Sequence, residues 1–262
     1  MDKREGLQCK NLIFSYQSSN RIIDGVSLDV EVGKVTALIG ANGCGKSTLF
    51  RLFSGQLKPE SGEVYLDGTA IRSMNRKEVA RRMAVVHQYN TAPVDITVRR
   101  LVEMGRTPYQ SRFSYSQKKE DEEAVENALL ATNTKQYENH LLSRLSGGQR
   151  QRVWLAMALA QEPKVLLLDE ITTYLDVRYQ IELLSLIRRL NKEKKLTVLM
   201  VLHDINQSME YADEIIVMKD GKILTAGNTQ KVISEAILDE AFSVKTEILP
   251  IKERKYCLFY EK

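Results

Sequence analysis

The chain has 262 residues, 43% of them hydrophobic, enough to bury a sizeable core as one large α/β domain or as a core with a subdomain. Lys and Arg number 38 against 34 Asp and Glu, a net charge of +4, and no basic stripe interleaved with aromatics accompanies it, which argues against a nucleic-acid partner. Cys9, Cys44 and Cys257 are far apart and form no CxxC pair, so neither a disulfide framework nor a zinc site is indicated, and a reducing cytosol suits them.

The charged start "MDKREGLQ" is followed by no long apolar stretch, against a secretory signal. The first third then alternates short β-rich runs with Gly, Asp and Asn punctuation: "NLIFSY", "VSLDVEVG", "KVTALIG", "EVYLDG" and "MAVVHQ" are expected strands. Between the third and fourth, "STLFRLF" is a helix candidate. From about Tyr89 to Glu162 helical spacing takes over in "TVRRLVEMG", "QKKEDEEAVENALLA" and "QRVWLAMALAQ". Next, "KVLLLDE" and "LTVLMVLHD" are short, wholly apolar runs on either side of "VRYQIELLSLIRRL", which sets Val177, Ile181, Leu184, Ile187 and Leu190 on one helix face. Strand, helix and buried strand in that order imply a parallel sheet. The longest greasy run, "LTVLMVL", falls far short of the roughly 20 residues that a spanning helix needs. The tail predicts a hairpin through Asp220-Gly221, short helices and a last strand in "KYCLFYE".

Five features carry chemistry. "GANGCGKST" follows an apolar run and opens a helix, the context in which G-x-x-x-x-G-K-[ST] binds phosphates. There Gly43 and Gly45 let backbone amides turn inward, Lys46 reaches the β- and γ-phosphates, and the Ser47 hydroxyl can ligate Mg²⁺. "VLLLDE" ends a buried strand with two acids, which is costly unless they meet a cation or a ligand. Asp169 is the expected Mg²⁺ partner, and Glu170 is placed to take a proton from an attacking water. His203, ending a second buried strand, can donate to a γ-phosphate oxygen, and Gln88, ending "AVVHQ", can reach the metal or the water with its amide oxygen. "LSGGQRQR" puts Ser146, Gly147, Gly148 and Gln149 at a predicted helix start, a second anion site in one chain.

The ordered set "GANGCGKST", Gln88, "LSGGQRQR", "VLLLDE", "TTYLD" and His203 resembles the nucleotide-binding subunits of ATP-binding cassette transporters over nearly the whole chain. The resemblance implies an α/β fold: a P-loop NTPase (RecA-like) core with a mostly parallel sheet, an N-terminal antiparallel β region and an inserted α-helical subdomain. In a single domain of 1–262 the core would span 1–88 and 163–230, the helical signature subdomain 89–162 and a C-terminal extension 231–262. Nucleotide would be held by Tyr16, stacked on adenine, and by Gly40, Ala41, Asn42, Gly43, Cys44, Gly45, Lys46, Ser47 and Thr48. Lys46, Gln88, Glu170 and His203 would act in catalysis, and Ser47, Gln88 and Asp169 would hold Mg²⁺.

In this family two cassettes face each other head to tail, so Ser146 to Gln149 would bind the ATP held by a partner chain, with Asp176 at the interface. The partner is expected to be a second copy. Asp176 also suits a helix N-cap, and Tyr16 a plain strand aromatic. "LVEMGRTPYQ", "TTYLD" and "LHDINQ" resemble the branch that imports ferric siderophores, haem or cobalamin. Implied partners are transmembrane permease subunits and, indirectly, an extracytoplasmic substrate-binding protein, with this chain peripheral on the cytoplasmic face of the membrane. The other readings are a soluble cassette ATPase of translation, repair or cofactor assembly, an importer cassette for another cargo such as a metal ion, and a regulatory ATP-binding module with little turnover. One departure is Ile171, where the family usually has proline; losing that fixed torsion bears on the loop carrying Glu170.

Overall fold

A computed structural model of the protein describes residues 5–17, 20–110, 115–251 and 254–261. The chain order is β1 (Leu7–Ser15), β2 (Arg21–Val30), β3 (Val35–Gly40), α1 (Lys46–Phe53), β4 (Ser61–Leu66), β5 (Thr69–Ala70), α2 (Arg76–Arg82) and β6 (Met83–Val86). There follow α3 (Val98–Met104), α4 (Tyr115–Ala131), α5 (Gly147–Ala160), β7 (Val165–Asp169), α6 (Val177–Lys194) and β8 (Thr197–Val201). The end of the chain holds α7 (Ile205–Tyr211), β9 (Glu214–Lys219), β10 (Lys222–Asn228), α8 (Thr229–Val232), α9 (Glu235–Phe242), β11 (Lys245–Ile251) and β12 (Arg254–Tyr260). Two compact units result, one taking the chain up to Ser73 together with Thr197 onward, the other Met74–Leu196.

In the first unit, β3 pairs in parallel with β8 and with β9, and β10 closes back on β9 as the expected hairpin. Its turn residues Asp220 and Gly221 both have positive φ, 45° and 76°, the pattern of a two-residue hairpin turn. β3 and β8 are buried at every position, as strands covered on both faces must be. A separate antiparallel sheet in the order β2-β1-β4-β5 forms the expected N-terminal β region. Its first two strands begin earlier than "NLIFSY" and "VSLDVEVG" indicate. α1 buries Leu49, Phe50, Leu52 and Phe53, which anchors the segment before it.

The second unit contains the whole expected helical insert and, with it, β6 paired in parallel to β7. Its interior is organised by Arg106, whose side chain is 5% exposed. Nε donates to Asp121 at 2.7 Å, and Nη1 donates to Ala160 O at 2.8 Å and to Glu162 at 2.6 Å. The guanidinium also lies 3.9 Å from the Tyr109 ring centroid. One buried cation thus ties the end of α3 to α4 and to the end of α5.

One expectation needs correction here, and one helix falls outside the expected elements. In α6, Leu184, Ile187 and Leu190 are buried, but Val177 and Ile181 are 69% and 46% exposed. The helix turns its apolar stripe inward only after the first turns, where Leu183 and Leu186 join it. The charged α2 buries none of its residues and escapes hydrophobic periodicity. Its start is marked instead by Asn75, whose side chain accepts from Glu78 N at 2.8 Å.

Candidate functional site

In the first unit β3 delivers the chain to Gly40, and Ala41 to Gly45 turn it into α1. Gly45 is the N-cap of α1 with φ 107°, a left-handed conformation, and a Cβ there would come within 2.9 Å of Ile22 O. Both facts require glycine. Because this cap has no side chain, the first amides of α1 are left for an anion. The loop is tied down from behind: Gly221 N donates to Cys44 O and Asp24 N to Gly221 O, each at 3.0 Å. Lys46 is 5% exposed, and Nζ folds over the loop to donate to Gly40 O at 2.8 Å and Ala41 O at 3.0 Å. Asn42, Gly43 and Ser47 are exposed, while Cys44 is buried and burial holds its thiol above its ordinary pKa. Tyr16 lies just past β1, 56% exposed, with its hydroxyl 3.4 Å from that of Thr48, so its side chain and the phosphate loop are neighbours. His203 is exposed just beyond the end of β8.

In the second unit strand register does the positioning. Val86 of β6 faces Leu168 of β7, and two residues further along each chain stand Gln88 and Glu170. Gln88 Nε2 donates to Glu170 Oε2 at 2.7 Å. An ionised carboxylate only accepts, so Gln88 presents its amide nitrogen to Glu170 and turns its oxygen away. Asp169, 9% exposed, ends β7, and Glu170 follows with φ 48°. Ile171 is 3% exposed, an apolar anchor directly behind that left-handed residue.

Ser146 caps α5, accepting from Gln149 N at 3.3 Å, while Gln149 Oε1 accepts from Ser146 N at 2.9 Å. This reciprocal capping box uses one lone pair of Ser146 and leaves its hydroxyl proton. The amides of Gly147 and Gly148 have no acceptor within the helix. Gln149 is fixed further by donating Nε2 to the Tyr137 hydroxyl at 3.0 Å. Asp176 caps α6, accepting from Tyr179 N at 3.0 Å, and Tyr179 packs directly on Gly148. The signature residues and Asp176 are therefore brought together. Tyr179 as their link carries no local sequence signal.

Residues 23–173 match the ABC transporter family. This chain belongs to the ABC transporter family. It is 44% identical to the petrobactin import ATP-binding protein FpuD of Bacillus anthracis over 94% of this chain and 89% of that one. It is 43% identical to the ferric enterobactin transport ATP-binding protein FepC of Escherichia coli over 87% and 84%. Among solved structures, the dimeric post-hydrolysis ATP-binding cassette MJ0796 bound to ADP and Pi superposes with a TM-score of 0.71 at 28% identity, covering 85% of this chain and 98% of that one. The α/β cassette fold expected from the motifs is thus the fold found, and the ABC transporter motifs sit at the ends of β3, β6, β7 and β8 and at the start of α5.

Proposed function

We propose that the chain is the ATP-hydrolysing subunit of an importer that takes up a ferric siderophore through separate permease subunits. The observation that carries the reading is the pair of helix starts, α1 with no side-chain cap at Gly45 and α5 behind the exposed Ser146, each offering amides to phosphate oxygens. One chain with two such sites suits a pair of chains in which each nucleotide meets α1 of one and α5 of the other. The ferric-siderophore cargo is supported by the relatives, which are named for petrobactin import and ferric enterobactin transport.

The loop Gly40–Gly45 and Lys46 bind the β- and γ-phosphates, and Lys46 exchanges two carbonyl acceptors for phosphate oxygens as it does so. Thr48 closes the loop, and Tyr16 stacks on adenine. Glu170 accepts the proton of the attacking water as its oxygen bonds to the γ-phosphorus and the bond to the β-phosphate oxygen breaks, leaving ADP and phosphate. His203 donates to a γ-phosphate oxygen. Ser146, through its hydroxyl proton, and the Gly147 and Gly148 amides bind the γ-phosphate of the partner chain's ATP, with Gln149 holding the cap and Asp176 beside it. One hydroxyl, Ser47, and one carboxylate, Asp169, are too few donors for a protein cage and suit Mg²⁺ completed by substrate phosphates; the Gln88 amide oxygen is a further hard donor. Such an ion, when bound, supplies charge neutralisation on the phosphate oxygens.

Closure on ATP and reopening after hydrolysis drive the permease. No helix among the described residues is long and apolar enough to cross a membrane, in keeping with a peripheral subunit on the cytoplasmic face. An extracytoplasmic binding protein presents the chelate to the permease. The test is Glu170→Gln in cells deleted for this chain. It should bind ATP, dimerise, stall, and fail to restore uptake of radioactive iron supplied as the siderophore complex. Rapid steady hydrolysis by it, or undiminished iron uptake in the deleted cells, would refute the proposal.

A further inference from the structure

Two exposed tyrosines stand next to the Gln88–Glu170 pair. Tyr89 is 68% exposed and Tyr174 81% exposed, yet their hydroxyls share a hydrogen bond of 2.9 Å and their ring centroids lie 6.2 Å apart at 42°. Ordering two large exposed side chains against each other costs rotamer entropy without the return that burial would give. The bond is therefore weak, and it joins two loops in parallel with a stronger, charge-assisted one. Residues 88 and 89 follow β6, and residues 170 and 174 follow β7, so the two cross-loop bonds span the same gap between neighbouring strand ends.

The segment they hold is strained. Glu170 and Tyr174 are both non-glycine residues with left-handed backbones, φ 48° and 64°. Such conformations persist only where the surroundings over-determine them. Within the segment, Thr173 N donates to Glu170 O at 3.1 Å and Leu175 N to Thr172 O at 3.3 Å, two tight turns in succession. Across to the other loop, two of the restraints are the Gln88 amide and the Tyr89 hydroxyl.

We propose that Tyr89 and Tyr174 form a positioning latch that keeps the Gln88 amide on the Glu170 carboxylate and so restrains the resting enzyme. The inference rests on Glu170 being the base that takes the water proton. While Gln88 Nε2 donates to one carboxylate oxygen, that oxygen has one acceptor site fewer for water and shares its charge with the amide, so it is a weaker base, and the amide oxygen of Gln88 faces away from Glu170. Opening the latch lets residues 170–174 relax, separates the amide from the acid and releases both for the reaction. Neither tyrosine touches the reacting atoms; both act through Gln88 and Glu170.

The experiment is a double-mutant cycle of Tyr89→Phe and Tyr174→Phe in the full chain, measuring steady-state ATPase and urea unfolding. Phenylalanine keeps each ring and removes one hydroxyl at an exposed site. Loss of one weak hydrogen bond should raise kcat roughly two- to fivefold in either single variant. KM for ATP should stay unchanged and the unfolding midpoint should fall only slightly, by no more than one weak hydrogen bond is worth, whereas a merely structural role would lower the midpoint without raising kcat. The double variant should match the singles, because both delete the same bond. Unchanged or lowered kcat in the singles, or effects that multiply in the double, would overturn the latch. Glu170→Gln assayed in parallel separates the two readings. If it turns over rapidly, the base and the latch both fall; if it stalls while the tyrosine variants behave as wild type, the latch alone falls.

Discussion

Adding one methyl group to each of two adjacent glycines should have opposite effects. At Gly148, which is buried, an added Cβ would lie 2.8 Å from Tyr179 Cδ1, 2.9 Å from Cγ and 3.2 Å from Cβ, where about 3.5 to 4.0 Å is an unstrained carbon contact. These are atoms near the stem of Tyr179, and the stem is fixed in the first turn of α6 by the bond from Tyr179 N to Asp176. The first turn of α5 or the start of α6 must give by several tenths of an ångström. Overpacking of this kind costs about 1–3 kcal/mol, offset by up to about 1 kcal/mol for replacing glycine in a helix. Gly148→Ala should therefore destabilise by about 0–3 kcal/mol. At Gly147 the nearest atom to an added Cβ is Leu175 Cδ2 at 3.7 Å, an ordinary contact. Gly147→Ala should be neutral or stabilising by up to about 1 kcal/mol. Urea unfolding measures both, and Tyr179→Ala should shrink the cost of Gly148→Ala. Equal stability of the two alanine variants, or a Gly148→Ala cost that persists without Tyr179, would refute the packing argument.

Arg106→Ala leaves the partly exposed Asp121 and the Ala160 carbonyl without the cation that joins them, and unfolding should become easier by about 1–3 kcal/mol, read as a lower urea midpoint. Arg106→Lys should rescue little, because one ammonium cannot reproduce the fork to Asp121, Ala160 O and Glu162. Burial pushes the Cys9 thiol from 9.0 up to about 12, so the folded state holds its proton more tightly than the unfolded chain. That contribution is complete below about pH 9 and is lost as pH rises toward about 12, at most about 1.4 kcal/mol per pH unit. Urea midpoints taken on the alkaline side should fall less steeply for Cys9→Ala than for the wild type. Replacing Ile171 with proline should push Glu170 from its left-handed backbone toward an extended one and break the bond from Gln88, a change that a crystal structure of the variant would reveal.

The parts of this cassette that were legible in the sequence are those whose chemistry is local. The phosphate loop announces itself because strand, glycines, Lys46 and helix are consecutive, and Glu170 because an acid pair ending an apolar run needs a reason. Ser146 to Gln149 mark a helix start, and the structure adds a reciprocal capping box between the two end residues. What was not legible depends on register and on distant packing. Gln88 meets Glu170 only because Val86 aligns with Leu168, and no spacing within either segment specifies that alignment. Tyr179 beneath Gly148 and Tyr89 against Tyr174 join residues 31 and 85 apart in chain order, as their numbers and contacts give. The periodicity of α6 misplaced Val177 and Ile181 because a stripe shows which residues share a face and not where along the helix its cover begins.

The central claim is that one nucleotide is gripped by the phosphate loop of one chain and the Ser146 helix start of another. Mixing two inactive variants measures it directly. Lys46→Ala lacks a working phosphate loop but keeps Ser146; Ser146→Arg blocks its helix start but keeps Lys46. A pair built from one of each contains one intact composite site, so the mixture should recover ATPase activity that neither variant has alone. A mixture no more active than its two components, under conditions where mixed pairs demonstrably form, would contradict the account.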